Sequence, residues 1–356
     1  MRDAKGPSAT EPAAPSRVTI GRVLKWALFL IVFAFVGQKA NELWQADDLS
    51  ASEIEVEWLM WAAASYIVGW LPSVWFWRRM MIELGDSPGF LPTTRAYFYG
   101  HLGKYVPGKA LSLVVRSSVL KSEGVPIARS AITATIETLG VMGIGLAVWL
   151  ALAPVTLPDE MWQSFPGWLQ VLREPWWIAP SIVAAAVVVA IPLSSKLLSL
   201  VAWKLTPGTF RNEAIQSESS SGPQPIRISK KLLLAGSAAF LATWALHGLS
   251  LGLTLKAIHG QFWQPTLWPL WSCAVAGATS VGFFALFAPG GLGIREGLLI
   301  ATLQSTYGGR AAVAAAALYR VVCFASELFA AGVLYLGSKP LRPSEDVPDS
   351  AGSDSA

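Results

Sequence analysis

Stretches of about twenty mostly apolar residues recur along this chain, at 20–39, 56–77, 130–153, 176–195, 232–255, 266–288 and 311–337. A bilayer core about 30 Å thick is crossed by roughly 20 residues of α-helix, and a backbone immersed in lipid has to satisfy its own hydrogen bonds. Repetition at that length predicts an all-α fold, a polytopic transmembrane helix bundle. An eighth run, 292–306, is shorter and rich in glycine; with it the spans number about eight. Of the 356 residues 53% are hydrophobic and 14% charged, too few polar side chains to clothe a water-soluble domain of this size.

The charges alternate between the connections. Arg2, Lys5, Arg17, Arg22 and Lys25 lie before or at the start of the first run, whereas Lys39 and Arg78 have only acids such as Asp47, Asp48 and Glu53 between them. The connection 78–129 is basic again, 154–175 holds Asp159, Glu160 and Glu174 against Arg173, and 196–231 returns six Lys or Arg around a polar "SESSSGPQP" core. The positive-inside rule places the N-terminus in the cytoplasm. The division that follows is a disordered tail over 1–19, a transmembrane domain over 20–337 and a disordered tail over 338–356. Within the domain, halves at 20–203 and 232–337 flank a cytoplasmic linker at 204–231. Lys339 and Arg342 end inside if 292–306 crosses, and outside if it is re-entrant. Tryptophans near span ends, among them Trp26, Trp44, Trp58, Trp75, Trp77, Trp176, Trp177, Trp263 and Trp268, read as an interfacial belt. The first run follows a polar tail with no small-residue cleavage site after it, and reads as an uncleaved anchor.

Soluble enzyme chemistry finds no support. Cys273 and Cys323 lie inside apolar runs and read as small buried hydrophobes, and His101, His247 and His259 have no metal-ligand spacing. His247, within a span, reads as a packing contact. No nucleophile elbow, phosphate loop or acidic metal cluster occurs, and "PGGLGIREG" follows an apolar helix rather than a strand, so it is no dinucleotide fingerprint. The expectation is a protein that is not an enzyme, with no catalytic residues, metal, cofactor or nucleic-acid partner.

Two stretches are too apolar for loops and too interrupted for spans. "YGHLGKYVPGKALSLVVRSSVLKSEGVP" contains Pro107 and Gly108, which end one helical piece and begin another whose free N–H groups suit an anionic group. Lys109, Ser112 and Arg116 then share a helix face at i, i+3 and i+7. The competing reading is that these cations enforce topology or snorkel to the interface. "FFALFAPGGLGIREGLLIATL" repeats the pattern, with Pro289, Gly290 and Gly291 ahead of Arg295 and Glu296. Its glycines serve equally for close helix packing. One break per half suggests two interrupted or re-entrant segments in pseudo-equivalent positions, as in transporters built from related halves. Glu137, Arg320 and Glu327 fall inside other runs, where ionisable groups are expensive and therefore candidates for function; an ion pair of Arg320 with Glu137 or Glu296 competes with that reading.

"KYVPGKALSLVVRSSVLKSEGVP" and "APGGLGIREGLL" resemble the hallmark stretches of the lysylphosphatidylglycerol synthase transmembrane (flippase-like) family, and the resemblance extends over roughly 20–337. Pro107, Gly108, Arg116, Gly124 and Val125 match its first pattern, Pro289 to Gly297 the second, and Tyr319-Arg320 its late Tyr-Arg pair. Members tend to carry an acid followed by Arg in the third span; here Glu137 is followed by Thr138. The resemblance implies a lipid translocator, which in full-length members accompanies a separate soluble domain that attaches an amino acid. This chain ends after its last run, without room for that domain.

The function expected is therefore that of a flippase-like membrane protein handling an anionic or aminoacylated phospholipid, or a lipid-linked precursor. Lys109, Ser112, Arg116, Arg295 and Arg320 are its candidate headgroup residues. The alternatives are a non-translocating accessory subunit of a partner lipid or glycan synthase, and a membrane-embedded transferase using Glu137, Glu296 or Glu327 as base.

Overall fold

A computed structural model of the chain describes residues 54–104, 110–163, 166–190, 228–284 and 293–337. The expected first span, both tails, most of the linker, and Pro107, Gly108, Lys109, Pro289, Gly290 and Gly291 lie outside the described residues. What is described is all helix: α1 (Val56–Glu83), α2 (Phe90–Gly103), α3 (Ala110–Lys121), α4 (Ile127–Thr156), α5 (Ile178–Ala190), α6 (Lys230–Ile258), α7 (Trp268–Phe284), α8 (Ile294–Tyr307) and α9 (Gly309–Leu336), with short helical turns between α4 and α5 and before α7. Five helical stretches among these residues are long and apolar enough to cross a membrane: α1, α4, α6, α9 and Pro265–Phe284, which contains α7. The chain is a multi-pass membrane protein, and the eight expected runs translate into these five helices, the shorter α5 and α8, and the run outside the described residues.

The spine is an antiparallel pair, α1 against α6. At one end the Glu55 N–H donates to Ala257 O (3.0 Å). Through the middle Ser250 Oγ donates to Ala62 O (2.7 Å) and Ser65 Oγ to Leu246 O (2.8 Å), and at the far end Ser229 Oγ donates to Glu83 Oε1 (2.6 Å). In a medium that offers no competing water, small hydroxyl side chains aimed at carbonyls of the facing helix are a natural way to fasten two spans. Ser229 also caps α6, its Oγ accepting from Leu232 N–H at 3.1 Å. Ser229→Ala removes the cap and the hydroxyl link to Glu83 together, leaving the backbone N–H of residue 229 on Glu83 Oε2 (2.8 Å); we expect a loss of about 1–2 kcal/mol, read as earlier thermal unfolding in detergent.

α4 closes the third side. Trp77 donates through Nε1 to Thr133 Oγ1 (3.0 Å) and Trp244 through Nε1 to Val141 O (2.9 Å). Trp77 is fully buried, so it belongs to the core and not to the expected interfacial belt, whereas Trp176, Trp177 and Trp268 are exposed. At the α1/α4 junction Arg129 holds Asp86 (2.8 Å) and the Leu84 carbonyl; burial pushes the Asp86 carboxyl up while Arg129 pulls it down.

α9 shows the sorting expected of a helix between a bundle and lipid. Val322, Cys323, Ser326, Glu327, Ala330 and Ala331 face inward, and Val321, Phe324, Leu328, Phe329 and Val333 are exposed at the same helical spacing. Exposed apolar side chains in such a stripe are unfavourable in water and ordinary against acyl chains.

Two helical hairpins complete the bundle, and they enter from opposite ends. α2 begins beside the C-terminal end of α1, where Arg78 Nε reaches Pro88 O (2.8 Å), and reaches the middle of α1 by His101, whose ring lies 4.5 Å from that of Trp70. α3 turns back along it, with Gly103 so close to Ser112 that a Cβ would stand 3.0 Å from the Ser112 Cα. α7 begins at the other end, and α8 returns to that same end, where Trp271 Nε1 donates to Tyr307 Oη (2.8 Å). With 14 residues each, α2 and α8 are about 21 Å long, short of a full crossing. Gly308, at φ 83°, makes the abrupt turn from α8 into α9, a conformation that favours glycine. The C-terminal end of α9 lies at the α2 entry, where Arg95 Nε donates to Leu334 O (3.2 Å). α7 and α8 return together to one end, and α9 then runs to the other.

Candidate functional site

Both hairpins carry ionisable side chains to the middle of the bundle, and what each meets there differs. On the α2–α3 hairpin, Arg116 is buried and its Nη1 donates to Glu137 Oε2 on α4 (2.8 Å). Tyr97 donates to the other carboxylate oxygen (2.8 Å), and the guanidinium lies 4.1 Å from the Tyr97 ring centre and 5.3 Å from that of Trp77. Thr138, in the place where an arginine was the family expectation, donates to Glu137 Oε2 at 3.3 Å. Gly100 makes this possible: a Cβ there would stand 2.5 Å from the Arg116 side chain. Arg116 is thus a closed-in cation that fastens the hairpin to α4. Ser112 packs on the same hairpin against Gly103.

At the end of α2, Lys104 reaches α9. Its Nζ stands 2.5 Å from Glu327 Oε1, the oxygen to which Tyr66 of α1 also donates at 2.5 Å. Glu327 is fully buried, and its Oε2 has no hydrogen-bond partner among the described residues. The Tyr66 ring stacks on His247 (4.8 Å), which also meets Trp70 edge-on (4.5 Å), so His247 is the packing contact expected of it. Lys104 read in sequence as one more cation of a basic connection; its only sequence signal is its position three residues ahead of the proline-glycine break.

On the α7–α8 hairpin the glycine-rich motif builds its own helix start. Gly293 adopts φ 84° and its N–H donates to Glu296 Oε2 (2.8 Å), so Glu296 caps the helix that bears it. The other Glu296 oxygen lies 3.3 Å from Arg320 of α9, one of the two pairings foreseen for that arginine. Arg295, between them in the motif, behaves differently. It belongs to none of the ion pairs among the described residues; its Nη2 stands 3.8 Å from Cys323 Sγ and its guanidinium 6.0 Å from the Tyr319 ring centre. Cys323 and Glu327 are one helical turn apart on α9, so Arg295 and Lys104, delivered by hairpins from opposite ends, arrive at neighbouring positions on one helix.

The charges at the inner ends of the hairpins can be counted. Lys104 pairs with Glu327, Arg116 with Glu137 and Arg320 with Glu296, which leaves Arg295 as the one cation of this set outside the ion pairs among the described residues. A cation without a counter-charge at membrane depth is costly unless an anion joins it. Cys273 and Cys323 are both free thiols, and among the described residues no three metal-ligand side chains gather.

Compared with known families, residues 19–330 match the one described as the lysylphosphatidylglycerol synthase TM region. No curated protein matches the chain.

Proposed function

Starting from the fact that this chain belongs to the lysylphosphatidylglycerol synthase transmembrane family, we propose that it binds the anionic headgroup of a membrane lipid between its two hairpins and passes that lipid across the bilayer. The observation that carries this reading is Arg295, a cation in the first turn of a half-length helix with no carboxylate partner among the described residues. Lys104, paired with Glu327, lies one helical turn along α9, while Arg116 and Arg320, each also paired, hold the walls on which the site is built. The apolar outward stripe of α9 leaves the acyl chains in lipid while the headgroup moves through the bundle. The cytoplasmic N-terminus belongs to the same proposal and rests on the distribution of Lys and Arg, while the inner-membrane location goes with the family.

The test is transbilayer movement of a labelled anionic phospholipid in liposomes containing the purified protein. Wild type accelerates movement over protein-free vesicles, and Arg295→Ala lowers that acceleration by about tenfold, the scale of one charge-assisted hydrogen bond lost. Movement no faster than in empty vesicles would remove translocation. Selective retention of anionic lipid without movement would leave the accessory-subunit reading, in which the same site presents lipid to a partner synthase.

A further inference from the structure

The cluster on α9 holds a carboxylate beside the free cation, and this constrains the charge of what can bind. Lys104, Glu327 and Arg295 together carry one net positive charge. Glu327 is fully buried, and only its Oε1 is covered, by Lys104 and Tyr66; its Oε2 faces no donor among the described residues. The field of that carboxylate is therefore incompletely quenched one turn of helix from the place where an anion meets Arg295.

We infer that Glu327 is a specificity-determining residue: it admits headgroups with a single negative charge, as in a phosphodiester, and turns away phosphomonoesters carrying two. This inference rests on the headgroup site proposed above and names the substrate class of that site. A monoanion at Arg295 brings the local sum to zero. A dianion leaves an uncompensated negative charge beside a buried carboxylate, and at separations near one helical turn that repulsion is worth tenfold or more in affinity. Lys104 sets the strength of the effect, because its ammonium is the charge that offsets Glu327.

The experiment uses full-length protein in nanodiscs of neutral phosphatidylcholine doped with either phosphatidylglycerol, a monoanion, or phosphatidic acid, a phosphomonoester close to doubly charged at about pH 8. The lipids that stay bound on gentle release are counted by native mass spectrometry. Wild type retains phosphatidylglycerol over phosphatidic acid. Glu327→Gln, similar in shape and without the charge, lowers that ratio about tenfold or reverses it. Lys104→Gln moves the ratio the other way, so it decides the matter alone if the Glu327 variant does not fold. A ratio unchanged in both variants, or a wild-type preference for phosphatidic acid, overturns the role of Glu327 while leaving the headgroup site standing. Retention of neither lipid by wild type overturns the site itself, and this inference with it.

Discussion

Glu137→Ala is expected to lower stability by about 3–5 kcal/mol, because it leaves the Arg116 guanidinium buried without its counter-charge. Arg116 has no other carboxylate partner among the described residues, its Nε already lacks a hydrogen-bond partner, and the aromatic rings of Tyr97 and Trp77 block its retreat. Tyr97 loses its acceptor at the same time. Denaturation in detergent, followed by tryptophan fluorescence, reads the loss. The double variant Arg116→Met with Glu137→Ala should recover much of it, since removing both charges removes the desolvation penalty together with the attraction. If the single and double variants were equally destabilised, the damage would stem from lost packing, and the ion pair would not be what fastens the hairpin to α4.

Gly248→Ala is the second large effect. A Cβ at this position would stand 2.2 Å from Ser272 Oγ and 2.7 Å from both the Cα and the N of Ser272. A rotamer change could clear the hydroxyl, but the backbone contacts cannot be relieved unless α6 and α7 move apart. The expected loss is about 2–3 kcal/mol, with a shift of α7 and of the hairpin it begins. Gly332→Ala, on the C-terminal half of α9 with nothing within 4 Å of the added methyl, is the control and should be neutral or slightly stabilising. Melting temperatures of the two variants, measured side by side, test the contrast.

Much of this architecture is written in local pattern. Apolar run length marks α1, α4, α6 and α9 to within a few residues, because each has to bury or expose a lipid-length segment whatever its neighbours are. Gly293 with Glu296 forms a helix-start signal complete within four residues. The paired hairpins follow from the same reasoning, since a stretch too apolar for water and too broken to cross has few other places to go.

The ionisable residues of the two hairpins were legible in the sequence, but their pairings were not. Arg116 read as one of five candidate headgroup residues; its enclosure by Glu137, two aromatic rings and the space left by Gly100 has no signature in its own stretch of sequence. Lys104 read as a topology charge, and it lies against an acid 223 positions away. Helical periodicity says which residues share a face; which face of which helix it meets depends on packing between elements distant in sequence.

The two hairpins are rooted at opposite ends of the bundle while the side chains at their inner ends meet on one helix, α9. A thinner or thicker bilayer draws those roots together or apart without lengthening either hairpin, so the spacing between Lys104 and Arg295 becomes sensitive to membrane thickness. Acyl-chain length is then a control variable for this protein, acting on the proposed headgroup site from outside it.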